Sequence, residues 1–248
     1  MRAVADFHSH ILPGLDDGSS SLKESIAMLK MERRQGISHV VATPHFYPRQ
    51  DDPVQFLSKR KAAEDRLREE MAKHPHMPAL SVGAEVHYFP GISESEILSE
   101  LTINGKGCIL IEMPLSPWTG TMYRELENIR VKQGITPIIA HVDRYMTPLR
   151  TFRIPERLEE LPVLVQANAR FFLDKLTRRM ALRLLRADRI QLLGSDCHNL
   201  QTRAPNLGPA IQLIEKHLGT SVLEQIQSYQ EWVCDSGGAH ANKIEIGR

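Results

Sequence analysis

Short apolar runs alternate with longer amphipathic segments along most of this chain of 248 residues. The runs lie at 3–5, 40–42, 80–82, 109–111, 138–140, 163–165 and 191–193. Several contain β-branched residues, as is typical of strands buried on both faces of a parallel sheet. Seven alternations without a Pro-, Gly- or Ser-rich linker predict one α/β barrel rather than two domains. An open doubly wound sheet is the alternative, because periodicity does not reveal closure.

The helices are predicted from their caps and their apolar faces. Ser21 and Glu24 have the spacing of a capping box, which places a helix start there, and Gly36 marks its end. Further helices are expected over 54–73, 120–133, 177–187 and 207–218. We expect residues 1–248 to form a single domain with a loose C-terminal tail from about residue 236.

The charge balance excludes several classes of function. Lys and Arg number 31 against 30 Asp and Glu, so the net charge of +1 argues against a dedicated nucleic-acid or membrane-surface binder. No apolar run approaches the roughly 20 residues that span a bilayer, and the first ten residues lack an apolar signal core. Cys108, Cys197 and Cys234 have no paired spacing. These features predict a cytoplasmic protein with free thiols and no membrane insertion.

Metal-binding residue types follow six of the seven predicted strands. Because the carboxyl ends of barrel strands form the active-site face, we expect these side chains to meet at one rim. The candidate metal ligands are His8, His10, Asp17, His45, Glu85, Glu112, His141, Asp196 and His198.

The first two candidates carry the clearest local signal. One residue separates His8 from His10, so both imidazoles point the same way on a strand and can chelate one ion. Taken alone, the pair is more typical of ordinary buried histidines, and Asp17 of a turn or helix-cap carboxylate. Glu85 and Glu112 follow apolar runs, where an unpaired carboxylate is costly to bury. A metal ion removes that cost, as would a buried Arg or Lys.

The ligand types favour certain metals and one kind of reaction. Five imidazoles and four carboxylates without a matched thiolate favour Mn²⁺, Fe or Zn²⁺ over a soft-metal or Fe–S site. Nine ligands are too many for one ion and suit two or three ions that share carboxylates. Clustered divalent ions generally hold a hydroxide and clamp a phosphoryl group, so phosphoester hydrolysis is the expected chemistry.

A second pattern offers a competing interpretation. Cys197 and Arg203 have the spacing of the cysteine-dependent tyrosine phosphatases, in which a thiolate attacks phosphorus. The five residues between them contain no Gly, and candidate metal ligands flank the cysteine. We therefore expect Cys197 not to be a nucleophile.

The motifs together resemble those of the PHP (polymerase and histidinol phosphatase) superfamily. They are His8-Ser-His10-Ile-Leu-Pro-Gly-Leu-Asp-Asp17-Gly, Ala-Thr-Pro-His45, Gly-Ala-Glu85, Ile-Glu112-Met-Pro, Ala-His141-Val-Asp-Arg144-Tyr and Gly-Ser-Asp196-Cys-His198-Asn. More narrowly, they are similar to the bacterial manganese-dependent tyrosine phosphatases associated with capsular and exopolysaccharide synthesis. The resemblance runs from residue 6 to about residue 210.

The resemblance implies a distorted (β/α)₇ barrel and three metal ions. His8, His10, Glu85 and Asp196 would surround the first ion, Glu85, Glu112 and His141 the second, and Asp17, His45 and His198 the third. Arg144 and Arg203 match the two phosphate-binding arginines of the family. The implied substrate is a phosphotyrosyl protein, the tyrosine-rich tail of a bacterial tyrosine autokinase. A small-molecule enzyme such as histidinol phosphatase and a non-enzymatic metal-binding regulatory protein are the alternatives.

Overall fold

A computed structural model of the protein describes residues 4–146 and 154–236. Ala3, the predicted start of the first strand, and the predicted tail beyond residue 236 lie outside the described residues. The strands are β1 (Val4–Ser9), β2 (Ile37–Ala42), β3 (His45–Phe46), β4 (Ala79–Val82), β5 (Glu85–His87), β6 (Cys108–Glu112), β7 (Thr136–Ile139), β8 (Leu164–Asn168) and β9 (Leu192–Gly194). The α-helices are α1 (Leu22–Arg34), α2 (Pro53–Met71), α3 (Leu98–Leu101), α4 (Gly120–Gln133), α5 (Ile154–Leu158), α6 (Ala169–Leu173), α7 (Arg178–Arg186), α8 (Leu207–Leu218) and α9 (Thr220–Glu231).

The strands pair in parallel and form a curled, half-barrel sheet. One group has the order β1-β2-β4, and the other has the order β3-β5-β6-β7-β8-β9. Two strands of the first group lead directly into strands of the second. β3 begins three residues after β2 ends, and β5 begins three residues after β4 ends. The mixed α/β class with a parallel sheet is as predicted.

The first and last strands meet at their carboxyl ends. Ser9 and Cys197 form a parallel bridge, and the Asp196 N–H donates to the His8 carbonyl at 2.8 Å. At the other end, the Gln230 side chain of α9 takes the place of a strand partner. Its amide oxygen accepts from the Ala5 N–H at 3.1 Å, and its amide nitrogen donates to the Ala5 carbonyl at 3.2 Å. This satisfies backbone groups that would otherwise be buried without a partner.

Apolar residues cover both faces of the sheet. Along β6, Ile109 and Ile111 pack in the larger core cluster against the helices, while Cys108 and Leu110 belong to the smaller cluster. Because side chains alternate along a strand, Glu112 continues the row of Cys108 and Leu110. The alternation therefore places the Glu112 side chain at the C-terminal end of β6, on the same face as the apolar side chains of Cys108 and Leu110.

The structure has a strand at each of the seven predicted places, with bounds that differ by a few residues. The short strands β3 and β5 and the helices α3, α5, α6 and α9 are absent from the sequence prediction. β3 and β5 hold only two and three residues, and such runs are too short to give a periodic signal.

The predicted helix starts and ends are close to those observed. α4 and α8 have the predicted bounds. At α1, the Ser21 hydroxyl accepts from the Glu24 N–H at 3.3 Å. The Glu24 carboxylate, however, accepts from the Ser20 N–H and hydroxyl, so the capping box at Ser21 is only half formed. Among the described residues, no helix is both long enough and apolar enough to cross a membrane.

We predict that Gly194→Ala destabilises the junction between β1 and β9. A Cβ at Gly194 would lie 2.6 Å from His8 Cβ and 2.7 Å from Gln166 Nε2, which forces backbone or buried side chains to move. Overpacking of this kind costs about 1–3 kcal/mol. The melting temperature measured by circular dichroism should therefore fall by roughly 2–10 °C.

The matched control for this substitution is Gly120→Ala at the start of α4. A Cβ at Gly120 meets only Arg124 Nη1, at 3.6 Å, so this variant should melt at or slightly above the wild-type temperature. Equal melting temperatures for Gly194→Ala and Gly120→Ala would contradict the tight junction.

Candidate metal centre

His8 and His10 lie at the carboxyl end of β1 and are completely buried. Their Nε2 atoms are 3.1 Å apart, and their ring centroids are separated by 5.2 Å. The HxH spacing therefore places both imidazoles on one side of the strand, as predicted. Two ring nitrogens this close need either a proton or a cation between them, because two lone pairs repel each other.

The second nitrogen of each ring already has a partner. His8 Nδ1 lies 3.2 Å from Gln166 Oε1, and His10 Nδ1 lies 2.7 Å from Asp16 Oδ2. Gln166 Oε1 also accepts from the His141 N–H at 2.7 Å, which fixes the orientation of the amide. Because both partners are oxygen acceptors, we assign the proton to Nδ1 in each neutral ring. The two Nε2 lone pairs then face each other, which is the arrangement of metal-ligating histidines.

Two carboxylates complete the environment of this pair. Glu85 Oε2 lies 3.1 Å from His8 Nε2 and 3.4 Å from His10 Nε2, and Asp196 Oδ1 lies 3.6 Å from both. Ligand atoms about 2.1 Å from a tetrahedral ion are about 3.4 Å from one another. The separations among His8, His10 and Glu85 therefore fit one divalent ion, and Asp196 Oδ1 faces both imidazoles as a further donor.

Glu85 also faces a second group of ligands. Its Oε1 atom lies 2.7 Å from His141 Nε2, which is in turn 3.5 Å from Glu112 Oε1. Glu85 Oε2 lies 3.0 Å from His45 Nδ1. The two oxygens of one carboxylate thus point to different neighbours, which is the geometry of a carboxylate that bridges two ions.

A third group lies nearer the surface. Asp17 Oδ1 is 3.5 Å from His45 Nε2 and 3.3 Å from His198 Nε2, and His10 belongs to the same cluster of ligand atoms. His198 Nδ1 donates to the Asp196 carbonyl at 3.0 Å, so its Nε2 is available as a ligand. The Asp17 side chain is 64% exposed, which places this group at the mouth of the site.

Several buried atoms of the cluster have no hydrogen bond within the described residues. They are His45 Nδ1, Glu85 Oε2, His141 Nδ1 and His198 Nε2. Buried polar atoms without partners are rare in native proteins, because each loses its hydration without compensation. Three of these four atoms face the carboxylates or imidazoles of the cluster, so cations there would satisfy them.

The charges of the cluster perturb its titration strongly. Burial opposes protonation of His10, but Asp16 and Glu85 outweigh it and raise the pKa of His10 to about 10. Burial would raise the pKa of Glu85, yet His8, His10 and His141 hold it well below its ordinary value. The negative site therefore retains a proton when no other cation is present, and metal ions would displace that proton.

His198 behaves in the opposite way. Burial, together with the positive charges of His10 and Arg203, lowers the pKa of His198 to about 4. Its imidazole is therefore neutral at pH 7, which is the form that ligates metals.

Backbone strain marks two of the candidate ligands. His141 has φ of 30° and Asp196 has φ of 53°, although neither is glycine. Non-glycine residues in this region cost about 1–3 kcal/mol and cluster at functional sites. The fold therefore tolerates strain to aim these two side chains at the cluster.

Arg144 and Arg203 contact the same carboxylates. Arg144 donates to Glu112 Oε1 at 3.0 Å and to Asp196 Oδ2 at 2.9 Å. Arg203 donates to Asp196 Oδ1 at 2.7 Å. Each guanidinium carries five N–H donors, so each keeps donors for a further anion. The structure thus brings all nine predicted ligands and both predicted arginines into one connected cluster.

Cys197 lies beside this cluster, but its surroundings disfavour the thiolate form. Its side chain is fully buried, and burial, with the adjacent Glu32 and Asp6 carboxyls, raises the pKa of its thiol well above the ordinary value. A nucleophilic cysteine needs a lowered pKa and access to substrate. The geometry agrees with the prediction that Cys197 is not a nucleophile.

Sequence reasoning missed several residues that hold the ligands in place. Besides bonding His10, Asp16 accepts from the His45 N–H at 3.0 Å, which fixes two ligands at once. The Asn168 side chain donates to Asp196 Oδ2 at 3.0 Å. The sequence does contain a signal for Asp16: it stands directly before Asp17, so two adjacent carboxylates are available at this point of the chain and each could have a role in the site.

Comparison with known proteins agrees with the motifs. The profile of the family described as "Capsular polysaccharide synthesis, CpsB/CapC" matches residues 4–231. The tyrosine-protein phosphatase CpsB of Streptococcus pneumoniae is 28% identical over 238 residues, which cover 90% of this chain and 94% of that protein. The tyrosine-protein phosphatase YwqE of Bacillus subtilis (strain 168) is 27% identical over 228 residues, which cover 88% and 87%.

The fold is also similar to a solved structure. A chain from the crystal structures of Bacillus subtilis YwqE and Streptococcus pneumoniae CpsB, described as unique metal-dependent tyrosine phosphatases, superposes with a TM-score of 0.81. The match covers 94% of this chain and 95% of that one, at 24% sequence identity. Because the family profile spans most of the sequence, this chain belongs to the CpsB/CapC family, and the resemblance predicted from its motifs is confirmed.

Proposed function

We propose that this protein is a metal-dependent phosphatase that hydrolyses phosphotyrosine in proteins. The observation that carries the proposal is the pair of facing lone pairs on His8 and His10, enclosed by the carboxylates of Glu85 and Asp196. The names of the family relatives support the same reaction.

The ligand groups support two or three ions. We assign His8, His10, Glu85 and Asp196 to one ion, Glu85, Glu112 and His141 to a second, and Asp17, His45 and His198 to a third. The mixed imidazole and carboxylate donors suit Mn²⁺, Fe or Zn²⁺, and the family resemblance favours Mn²⁺ among them. When bound, divalent ions supply positive charge that makes water a nucleophile at neutral pH and stabilises phosphoryl oxygens.

The two arginines bind and orient the phosphoryl group in this proposal. Asp196 holds Arg144 and Arg203 on either side of its carboxylate, so their free N–H donors flank the same region. Guanidinium groups bind phosphate through paired hydrogen bonds, and these strengthen as negative charge grows on the equatorial oxygens. Arg144 would also lie near the departing phenolate, whose low basicity makes a strong general acid less necessary.

Family membership supports a role in capsular or exopolysaccharide synthesis. We propose the tyrosine-rich tail of a bacterial tyrosine kinase as the physiological substrate and the cytoplasm as the location. The metal-loaded protein should hydrolyse phosphotyrosyl peptides faster than histidinol phosphate in parallel assays. Faster hydrolysis of histidinol phosphate would assign it to the small-molecule branch, and no hydrolysis of p-nitrophenyl phosphate would indicate a non-enzymatic protein.

We further propose that the sheet closes as a distorted seven-stranded (β/α)₇ barrel within a single domain of residues 1–248. The continuity of β2 with β3 and of β4 with β5 supports seven structural strands. The bridge between Ser9 and Cys197 supports closure between the last strand and the first.

We predict that EDTA abolishes hydrolysis of p-nitrophenyl phosphate and that Mn²⁺ restores it best among Mn²⁺, Mg²⁺ and Zn²⁺. The reason is that water is far too weak an acid to supply hydroxide at neutral pH unless divalent ions, held by these imidazoles and carboxylates, lower its pKa. Activity and metal content, by elemental analysis, should rise together during reconstitution. Full turnover by protein shown to be free of metal would rule out the mechanism.

Replacing Arg144 or Arg203 with Ala should lower turnover without emptying the metal sites. Loss of one guanidinium removes charge stabilisation worth roughly 2–4 kcal/mol, which is tens- to hundreds-fold in kcat. Arg189→Ala is the control, because Arg189 forms an ion pair with Glu159 on the surface, and it should retain wild-type turnover. If either active-site variant lost its metal ions, that arginine would be structural.

Substitution of Cys197 by Ser should preserve most activity, whereas His45→Ala and Glu112→Ala should each lower kcat by roughly 100-fold or more. Serine nearly matches cysteine in size, but the other two changes each delete a ligand. His74→Ala, a change in a loop histidine paired with Glu70, serves as the control and should be fully active. A thiolate mechanism would give the reverse order, with an inactive Cys197→Ser protein that still holds its metals.

A further inference from the structure

A cleft with aromatic walls opens next to the metal centre. Its volume is about 360 Å³, which lies in the range of small-ligand sites. It is lined chiefly by Tyr47, Pro48, Arg49, His87, Tyr88 and Phe89, which lie at or just after the carboxyl ends of β3 and β5. None of the sequence motifs that point to metal binding requires these aromatic residues, so the cleft needs a separate explanation.

Two contacts join the cleft directly to the metal-ligand cluster. The Tyr47 ring stacks on the His45 ring with centroids 5.1 Å apart and approaches the His87 ring at 5.7 Å. His87 Nδ1 lies 3.2 Å from Glu112 Oε2. A phosphoryl group at the metal centre would therefore have its substituent within reach of Tyr47 and His87.

The walls of the cleft are held before any ligand arrives. The Tyr47 N–H donates to Asp51 Oδ2 at 2.6 Å, and the Tyr47 carbonyl accepts from the Asp51 N–H at 2.9 Å. On the opposite wall, the Tyr88 hydroxyl donates to Glu125, whose carboxylate also accepts from the Gly91 N–H at 2.6 Å. A preformed site loses little conformational entropy on binding, which favours affinity.

The lining chemistry differs sharply from that of the metal centre. The centre is crowded with carboxylates, whereas the residues that line the cleft include no Asp or Glu. Rings and a proline dominate the lining, and Arg49 stands exposed at the rim. Such a surface favours a flat, uncharged group that stacks on aromatic rings.

We propose that this cleft is the binding site for the aromatic ring of the substrate, and that Tyr47 makes the selective contact with that ring. The inference rests on the proposed phosphatase function and adds the reason for its preference for phosphotyrosine. An aryl phosphate gains ring contacts in the cleft, whereas an alkyl phosphate such as phosphoserine is too short to make them. Selectivity then comes from Tyr47 and the cleft, while the metal centre binds the phosphoryl group of either.

The test measures binding of two non-hydrolysable ligands to the Mn²⁺-loaded protein by isothermal titration calorimetry. Phenylphosphonate and methylphosphonate share the phosphonate group and differ in the ring. The wild-type protein should bind phenylphosphonate about tenfold more tightly than methylphosphonate. Tyr47→Ala should weaken phenylphosphonate binding about five- to tenfold and leave methylphosphonate binding unchanged, whereas Tyr47→Phe should keep the preference because it keeps the ring.

Metal content and circular dichroism of each variant establish that the centre and the fold are intact. Should Tyr47→Ala lose metal, Phe89→Ala provides the second variant, with the same expected loss of preference. Equal losses for both phosphonates, or an unchanged ratio in both Ala variants, would overturn the assignment of the cleft. Failure of the wild-type protein to hydrolyse p-nitrophenyl phosphate would instead contradict the proposed function, which separates the two conclusions.

Discussion

The imidazoles of His8 and His10 stand with their Nε2 atoms 3.1 Å apart, and the rest of the site is arranged around that repulsion. Gln166 and Asp16 occupy the other nitrogen of each ring, so neither ring can turn its lone pair away without losing a buried hydrogen bond. Only a proton or a metal ion resolves the conflict. The Glu85 carboxylate stabilises positive charge from either source, a proton or a metal ion, because one oxygen faces His8 and the other faces His141.

The fold holds His8 and His10 in this close approach and loses some folding stability by doing so. Asp196 and His141 adopt strained backbone conformations, and Gly194 allows β9 to approach His8 more closely than any side chain would permit. The parallel sheet offsets this cost, since its strands are buried on both faces and packed in two apolar core clusters. Local strain at strand ends is therefore balanced by packing along the strands.

The sequence predicts the strands and the ligands well for related physical reasons. A buried strand needs an apolar run, and a buried carboxylate or imidazole after it needs a partner, so both leave strong local signals, as at 109–111 and Glu112. The positioning residues Gln166 and Asn168 give no such local signal. Their roles depend on contacts with residues more than 20 positions away in the sequence. The short strands β3 and β5 arise likewise from pairing with neighbours rather than from their own composition.

The charge balance of the site argues for more than one metal ion. Five carboxylates meet here, those of Asp16, Asp17, Glu85, Glu112 and Asp196, against two guanidinium groups. This leaves a formal excess of three negative charges when the imidazoles are neutral, and such a site repels a phosphate dianion. One divalent ion would leave the site negative, whereas two would reverse its sign and three would attract the dianion strongly. This charge count therefore supports the proposal of at least two ions, in line with the grouping of the ligands.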